Sequence, residues 1–243
     1  MAQAFYLLFF AAAPGIIWLL YFLKKDVHPE SKQMILKIFF LGMISAIPAA
    51  LIEKGIQTIL PQNIFLNNIF QYYIFLFLSI IVGVALVEET IKYLVVRIEV
   101  LSNSELDEPV DVMLYMIIAA LGFATLENIF IFLSPDIFLY TFRETLTLAS
   151  FRFISATFLH ALASGTIGFF LALSFYKIKR KRMLVFSGFA TAVLLHGLYN
   201  FSIMELGGAF QYGVPLLVLT GLAVFIYFGI KKLKKLKSIC KIN

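Results

Sequence analysis

The run YIFLFLSIIVGVALVEETIKYLVV, Tyr73–Val96, decides the fold. Its first fifteen residues, Tyr73 to Val87, carry no charge. A helix gains about 1.5 Å per residue, so a run of this length crosses a hydrocarbon core of about 30 Å. The same run then carries Glu88, Glu89 and Lys92. Ionised groups inside a membrane span are costly and mark function by default. The stretch therefore states two things at once: a membrane helix, and a polar site within it.

The pattern repeats on both sides. Apolar runs of spanning length fall at Phe5–Leu23, Met34–Ile52, Tyr73–Val96, Val112–Leu133, Phe151–Tyr176, Met183–Met204 and Gly213–Ile230. The whole chain of 243 residues is 61% hydrophobic and 14% charged, with mean hydropathy +0.94. Soluble domains average about 45–50% apolar and about 25% charged, which excludes a water-solvated core. Short alternating segments are absent, so a β-barrel is not expected. The expected class is all-α: a polytopic transmembrane helix bundle of about seven spans, in a cell membrane and with the lipid bilayer as solvent. The first run lacks a basic leader and a cleavage motif, and reads as a retained span.

The charge of +6 follows the loops rather than a nucleic-acid face, and no nucleic-acid partner is expected. Lys24, Lys25, Lys32 and Lys37 follow the first span, Lys177 to Arg182 the fifth, and Lys231 to Lys237 the last. The loops around Pro61 and Glu205–Gln211 are poor in Lys and Arg. Basic loops face the cytoplasm, so the N-terminus is expected outside and the C-terminus in the cytoplasm. The acidic loop at Glu99, Glu105, Asp107 and Glu108 bears little on that rule. The single cysteine, Cys240, allows no internal disulfide. Ser134–Ser150 has room for a short interfacial helix.

Five ionisable residues lie well inside spans: Glu88, Glu89, Glu127, His160 and His196. Lys92 is at i+4 from Glu88, so the two share a helix face, which leaves Glu89 freer. Asn128 follows Glu127, Phe123 precedes it by one turn, and Asn200 follows His196 by one turn. Small residues around them (Gly122, Ala161, Ala163, Ser164, Gly165, Gly168, Gly197) permit close helix approach. The polar groups come from four spans able to converge. Two histidines and several carboxylates suit zinc or another first-row metal, and a carboxylate near water is a general base for hydrolysis. HExxH and GxSxG are absent, and the cysteine is remote.

The ordered set Glu88-Glu89-x-x-Lys92, Gly122-Phe123-Ala124-Thr125-Leu126-Glu127-Asn128, His160 and His196-Gly197-Leu198-Tyr199-Asn200-Phe201 resembles the PrsW family of intramembrane metalloproteases. That family is related to the CAAX-protease and bacteriocin-processing superfamily, whose motifs are similar to EExxR, FxxxH and HxxxN. Lys92 stands where the superfamily has Arg, and Glu127 where it has His. The resemblance divides one transmembrane protease domain, 1–243, into accessory spans at 1–60, a motif core at about 73–204, and a last span with a basic tail at 213–243. It implies hydrolysis of a peptide bond in a membrane-anchored substrate, as in first-site cleavage of anti-sigma factors during stress signalling in prokaryotes. It implies Glu88 or Glu89 as base or ligand, with the first glutamate, Glu88, favoured as the water activator. Glu127, His160 and His196 follow as ligands or transition-state stabilisers, and Asn200 as an oxyanion donor. The metal set implied is Glu89, Glu127, His160 and His196 around Zn2+, with Lys92, Asn128 and Phe123 in support. A metal-free glutamate–histidine mechanism is the alternative.

Blander readings exist for each residue. Glu88 and Glu89 pair structurally with Lys92; Glu127-Asn128 and His160 join helices. His28 is solvated, Glu53-Lys54 ends a helix at the interface, and Arg143, Glu144 and Arg152 meet headgroups, unless Arg152 neutralises the site. An ion-coupled transporter and a non-catalytic binding or immunity protein are the competing classes. No inverted repeat supports the first, and retention of every carboxylate and histidine argues against the second. One geometric difficulty is expected. Glu88 and Glu89 fall deeper than Glu127, His160 and His196 by roughly 5–10 Å, which a longer or tilted third span closes.

Overall fold

A computed structural model describes residues 2–25, 30–60, 68–101, 103 and 106–236. His28, Glu105, Lys237, Cys240 and the loop at Pro61 lie outside the described residues. Nine α-helices are described: α1 (Ala2–Leu23), α2 (Lys32–Ile59), α3 (Ile69–Ile80), α4 (Leu86–Glu99), α5 (Pro109–Phe132), α6 (Phe142–Ile154), α7 (Ala156–Tyr176), α8 (Lys181–Glu205) and α9 (Ala209–Leu233). They make seven stretches long and apolar enough to cross a membrane, with α3–α4 and α6–α7 each forming one.

Local chemistry sets the helix starts. Ser31 accepts from the Met34 amide and Asn68 from the Gln71 amide. Pro109 opens α5 behind a capping box in which the Asp111 carboxylate accepts from the Glu108 amide at 2.7 Å. Thr141 and Glu144 cap α6 in the same way. Such caps satisfy amides that a helix start leaves unpaired.

Helix α5 is the axis of the bundle. Nearly all of it is buried, with α1, α2, α4 and α7 packed around it. Close approach at α2 is set by glycines: a Cβ on Gly122 would lie 2.0 Å from the Phe39 carbonyl oxygen, and one on Gly42 2.2 Å from that of Ala119. Helices α8 and α9 close the far side against α7. The outer surface is apolar, with Phe5, Phe40, Leu51, Phe70, Phe186 and Leu217 exposed. In water that surface would be a liability; in lipid it is the solvated face.

Two boundaries differ from the sequence expectation. The third stretch is longer, Ile69–Glu99, and contains a π-turn at Ile81–Ala85. The fifth does not begin as one helix at Phe151: α6 ends at Ile154, Ser155 takes φ −119° and ψ −85°, and α7 starts anew. A third expectation is corrected as well. Glu53 does not end a helix, because α2 continues for another six residues to Ile59.

Candidate active site

The π-turn delivers the first residues of the site. It accommodates an extra residue in the helical ladder, a device frequent at functional sites. Helix α8 packs against it, and a Cβ on Gly197 would lie 2.5 Å from Ile81 Cγ1. A larger residue at 197 would push α8 away and carry the adjacent His196 with it. As built, Glu88, Glu89 and Lys92 on α4, His160 on α7 and His196 on α8 are all buried together. The depth mismatch is absent, since the carboxylates and both imidazoles are in direct contact.

Lys92 is the hub. Its ammonium donates to Glu88 Oε2 at 3.0 Å and to Glu89 Oε1 at 2.9 Å, and meets His160 Nδ1 at 2.8 Å. Phe123 lies beneath it, 4.3 Å from ring centroid to nitrogen, a cation–π contact. The sequence pairs Lys92 with Glu88 alone; in the fold it bridges both carboxylates, because i+3 and i+4 lie on one face. This reverses the expected freedom of the two. Glu89 is saturated: Oε1 also faces His196 Nδ1 at 3.0 Å, and Oε2 accepts from the Ser164 hydroxyl at 2.6 Å. Glu88 engages Lys92 through Oε2 alone, and its Oε1 has no hydrogen-bond partner among the described residues.

The histidine tautomers follow from their partners. A carboxylate only accepts, so His160 carries its proton on Nε2, 2.8 Å from Glu127 Oε2. Its Nδ1 lone pair then receives Lys92. By the same reasoning His196 donates from Nδ1 to Glu89. That leaves its Nε2 lone pair free, 3.7 Å from Glu88 Oε2. The two rings meet edge to face, 5.0 Å between centroids.

Glu127 stands on the far side of His160 from this centre. Arg152, from the last turn of α6, reaches it at 3.2 Å. The same guanidinium donates through Nε to Asn128 Oδ1. The Asn128 amide donates to Thr157 Oγ1 at 3.1 Å and to the Ala11 carbonyl at 3.3 Å. Arg152 is therefore not a headgroup contact; the break at Ser155 turns it inward. Asn200 is half-buried, one turn beyond His196, with no hydrogen-bond partner among the described residues.

Three further residues approach the site, of which the sequence offers only Arg152, in an alternative, neutralising role. Ser164 was readable only as a small residue, although its i+4 spacing from His160 places both on one face. Arg152 gave an ambiguous signal, since its direction depends on the helix break. Glu53 on α2 lies within electrostatic reach of Glu88, Glu127 and Lys92, and nothing in its own neighbourhood foretold that.

The donor set has the composition of a metal site. Glu88, Glu89, His160 and His196 each offer one ligand atom, all within 4.8 Å of one another. Tetrahedral zinc with bonds of about 2.1 Å has ligand separations of roughly 3.4 Å. Glu88 Oε2 lies 3.5 Å from His160 Nδ1 and 3.7 Å from His196 Nε2, the two imidazole nitrogens that carry lone pairs, close to that value. Two nitrogens and two carboxylates suit zinc chemically, and the centre already accepts a cation, the Lys92 ammonium. The residues fit a metal. The set differs from the sequence expectation in one member: Glu88 takes the place of Glu127, which is behind His160 and outside the four-residue group.

A buried carboxylate–histidine centre within a seven-span helical bundle defines an intramembrane hydrolase, and comparison with known proteins gives its lineage. Residues 30–229 match the family described as PrsW family intramembrane metalloprotease, and the chain belongs to that family. It is similar to the Protease PrsW of Bacillus subtilis (strain 168), 28% identical over 93% of this chain and 94% of the relative. The Geobacillus kaustophilus (strain HTA426) Protease PrsW is 29% identical over 79% and 77% of the two chains. That of Clostridioides difficile (strain 630) is 26% identical over 80% and 77%. No solved structure matches the chain. The protein is thus a multi-pass membrane protease of prokaryotic type.

Proposed function

We propose that this protease hydrolyses a peptide bond in a membrane-anchored, anti-sigma-factor-like substrate, using Glu88 as the base that activates water. The observation that carries the assignment is the asymmetry of the two carboxylates. Glu89 is fully engaged by Lys92, His196 and Ser164, whereas Glu88 Oε1 has no hydrogen-bond partner among the described residues. Glu88 takes a proton from water, the resulting hydroxide adds to the scissile carbonyl, and the proton passes to the leaving amine. The Asn200 amide, one turn from His196 and without a hydrogen-bond partner among the described residues, donates to the developing oxyanion. Glu127 holds the His160 tautomer with Nδ1 facing inward, and Arg152 holds Glu127. Carboxylates that orient a histidine in this way are worth 10–100-fold in affinity or activity.

The metal proposed is zinc, which Glu89, His160 and His196 would hold, leaving a fourth position open beside Glu88 as the base. When bound, it supplies Lewis-acid polarisation of the carbonyl. The Lys92 ammonium and a metal compete for the same carboxylates, so a metal-free route through Lys92 is the specific alternative. The domain reading extends over 1–243, with the N-terminus outside and the basic end in the cytoplasm, supported by the Lys and Arg distribution.

The test is cleavage of a single-span reporter in reconstituted vesicles by wild type, Glu88→Gln, Glu127→Gln and His196→Ala. Wild type is expected to cut and the folded variants to lose cleavage. Folded variants that cut at the wild-type rate would overturn the site.

A further inference from the structure

The last turns of α1 and α9 carry a second constellation, separate from the carboxylate–histidine centre. Between them, backed by α7, is a cavity of about 280 Å³. Its interior is apolar, formed by the buried side chains of Phe22, Leu162 and Ile226 among others. Its rim carries Lys25, Lys231 and Lys234.

These three lysines share one rim. Lys234 Nζ donates to the Lys25 carbonyl oxygen. The Lys25 ammonium lies 4.7 Å from the Tyr21 ring centroid and that of Lys231 4.3 Å from the Tyr227 ring centroid. Among the described residues no carboxylate forms an ion pair with any of the three. Three like charges at one mouth repel, and an anion held there relieves that repulsion. The apolar interior narrows the chemistry. A free phosphate would leave the slot unfilled. An inserted peptide would bring backbone groups that lipid-level surroundings cannot satisfy. An acyl chain fills the slot without either cost.

We propose that this slot binds an anionic phospholipid, with its phosphate among Lys25, Lys231 and Lys234 and the upper part of one acyl chain against Phe22, Leu162 and Ile226. Basic pockets between membrane helices suit such headgroups, each lysine contributing roughly five-fold in partition. The inference stands on α1, α7 and α9 alone and is independent of which residues carry catalysis.

The experiment is native mass spectrometry of the full chain in detergent, titrated with phosphatidylglycerol or phosphatidylcholine. Wild type should retain phosphatidylglycerol in preference to phosphatidylcholine by on the order of 100-fold, at five-fold for each of three lysines. The triple variant Lys25→Gln/Lys231→Gln/Lys234→Gln should lose that preference. The single variant Lys234→Gln, a milder change, should lose roughly five-fold. Ala223→Phe keeps every lysine but fills the slot, and should also lose retention. Equal binding of the two lipids would overturn the proposal. So would unchanged retention by Ala223→Phe, which would show diffuse attraction to a basic tail. Full competition by inorganic phosphate would show an anion site without a lipid site, and dimer masses that disappear with Ala223→Phe would show a second copy covering the slot; either result overturns it.

Discussion

Replacing Lys92 with methionine isolates what holds the centre together. The ammonium is fully buried and lies 3.0 Å from one carboxylate and 2.9 Å from the other. At an effective dielectric near 20, each contact is worth about 5–6 kcal/mol of attraction, against which desolvation of all three charges must be set. Methionine preserves the packing on Phe123 but leaves two adjacent carboxylates buried without a cation. Removing one partner of a buried ion pair costs about 3–5 kcal/mol, a large share of a total stability of about 5–15 kcal/mol. The assay is unfolding by SDS titration in mixed micelles, followed by far-UV circular dichroism, with chelator present. Lys92→Met should lose about 3–5 kcal/mol under those conditions. With zinc in place of chelator it should recover more stability than wild type gains, because the metal no longer competes with an ammonium. A variant within about 1 kcal/mol of wild type in chelator would refute the reasoning, since the two carboxylates would then not depend on Lys92.

Glu88→Gln and Glu89→Gln should separate chemistry from structure: both weaken an ion pair with Lys92 and the first abolishes cleavage, while the second also strands His196 and Ser164 and is the less stable of the two by about 1–3 kcal/mol. Equal midpoints for the two would contradict the asymmetry. Arg152→Gln should lower kcat roughly 10–100-fold with KM little changed, and Arg152→Lys should restore part of it; a change confined to KM would place Arg152 with the substrate instead of behind His160. Gly122→Val should destabilise by more than the usual 1–3 kcal/mol of core overpacking, because its Cβ meets the Phe39 backbone at 2.0 Å; an unchanged midpoint would mean that α2 and α5 are not in backbone contact.

How far these residues could be read in advance depended on where their partners lie. The spans were readable because the segment itself decides whether lipid accepts it: a helix satisfies its own backbone bonds, and a long apolar run needs no distant partner. The charged members announced themselves for the same reason. Glu88, Glu89, Glu127, His160 and His196 each stand in an apolar run, where the solvent alone makes them exceptional. Ser164 and Arg152 did not. A serine is ordinary in a membrane helix, and an arginine at a helix end is ordinary at an interface; only contact with Glu89 and with Glu127 distinguishes them.

The sequence by itself determined that this is a seven-span helical membrane protein with acidic and histidine residues inside the bundle, because hydropathy and charge are properties of each segment. The tertiary structure decided which groups meet. The π-turn at Ile81–Ala85 and the glycine contact at Gly197 bring α4 and α8 together. The break at Ser155 turns Arg152 inward toward Glu127. Lys92 is shared between two carboxylates, and Glu88 rather than Glu127 joins the metal-competent group. Those outcomes depend on helix rotation, tilt and separation, which are fixed by packing between segments distant in the chain.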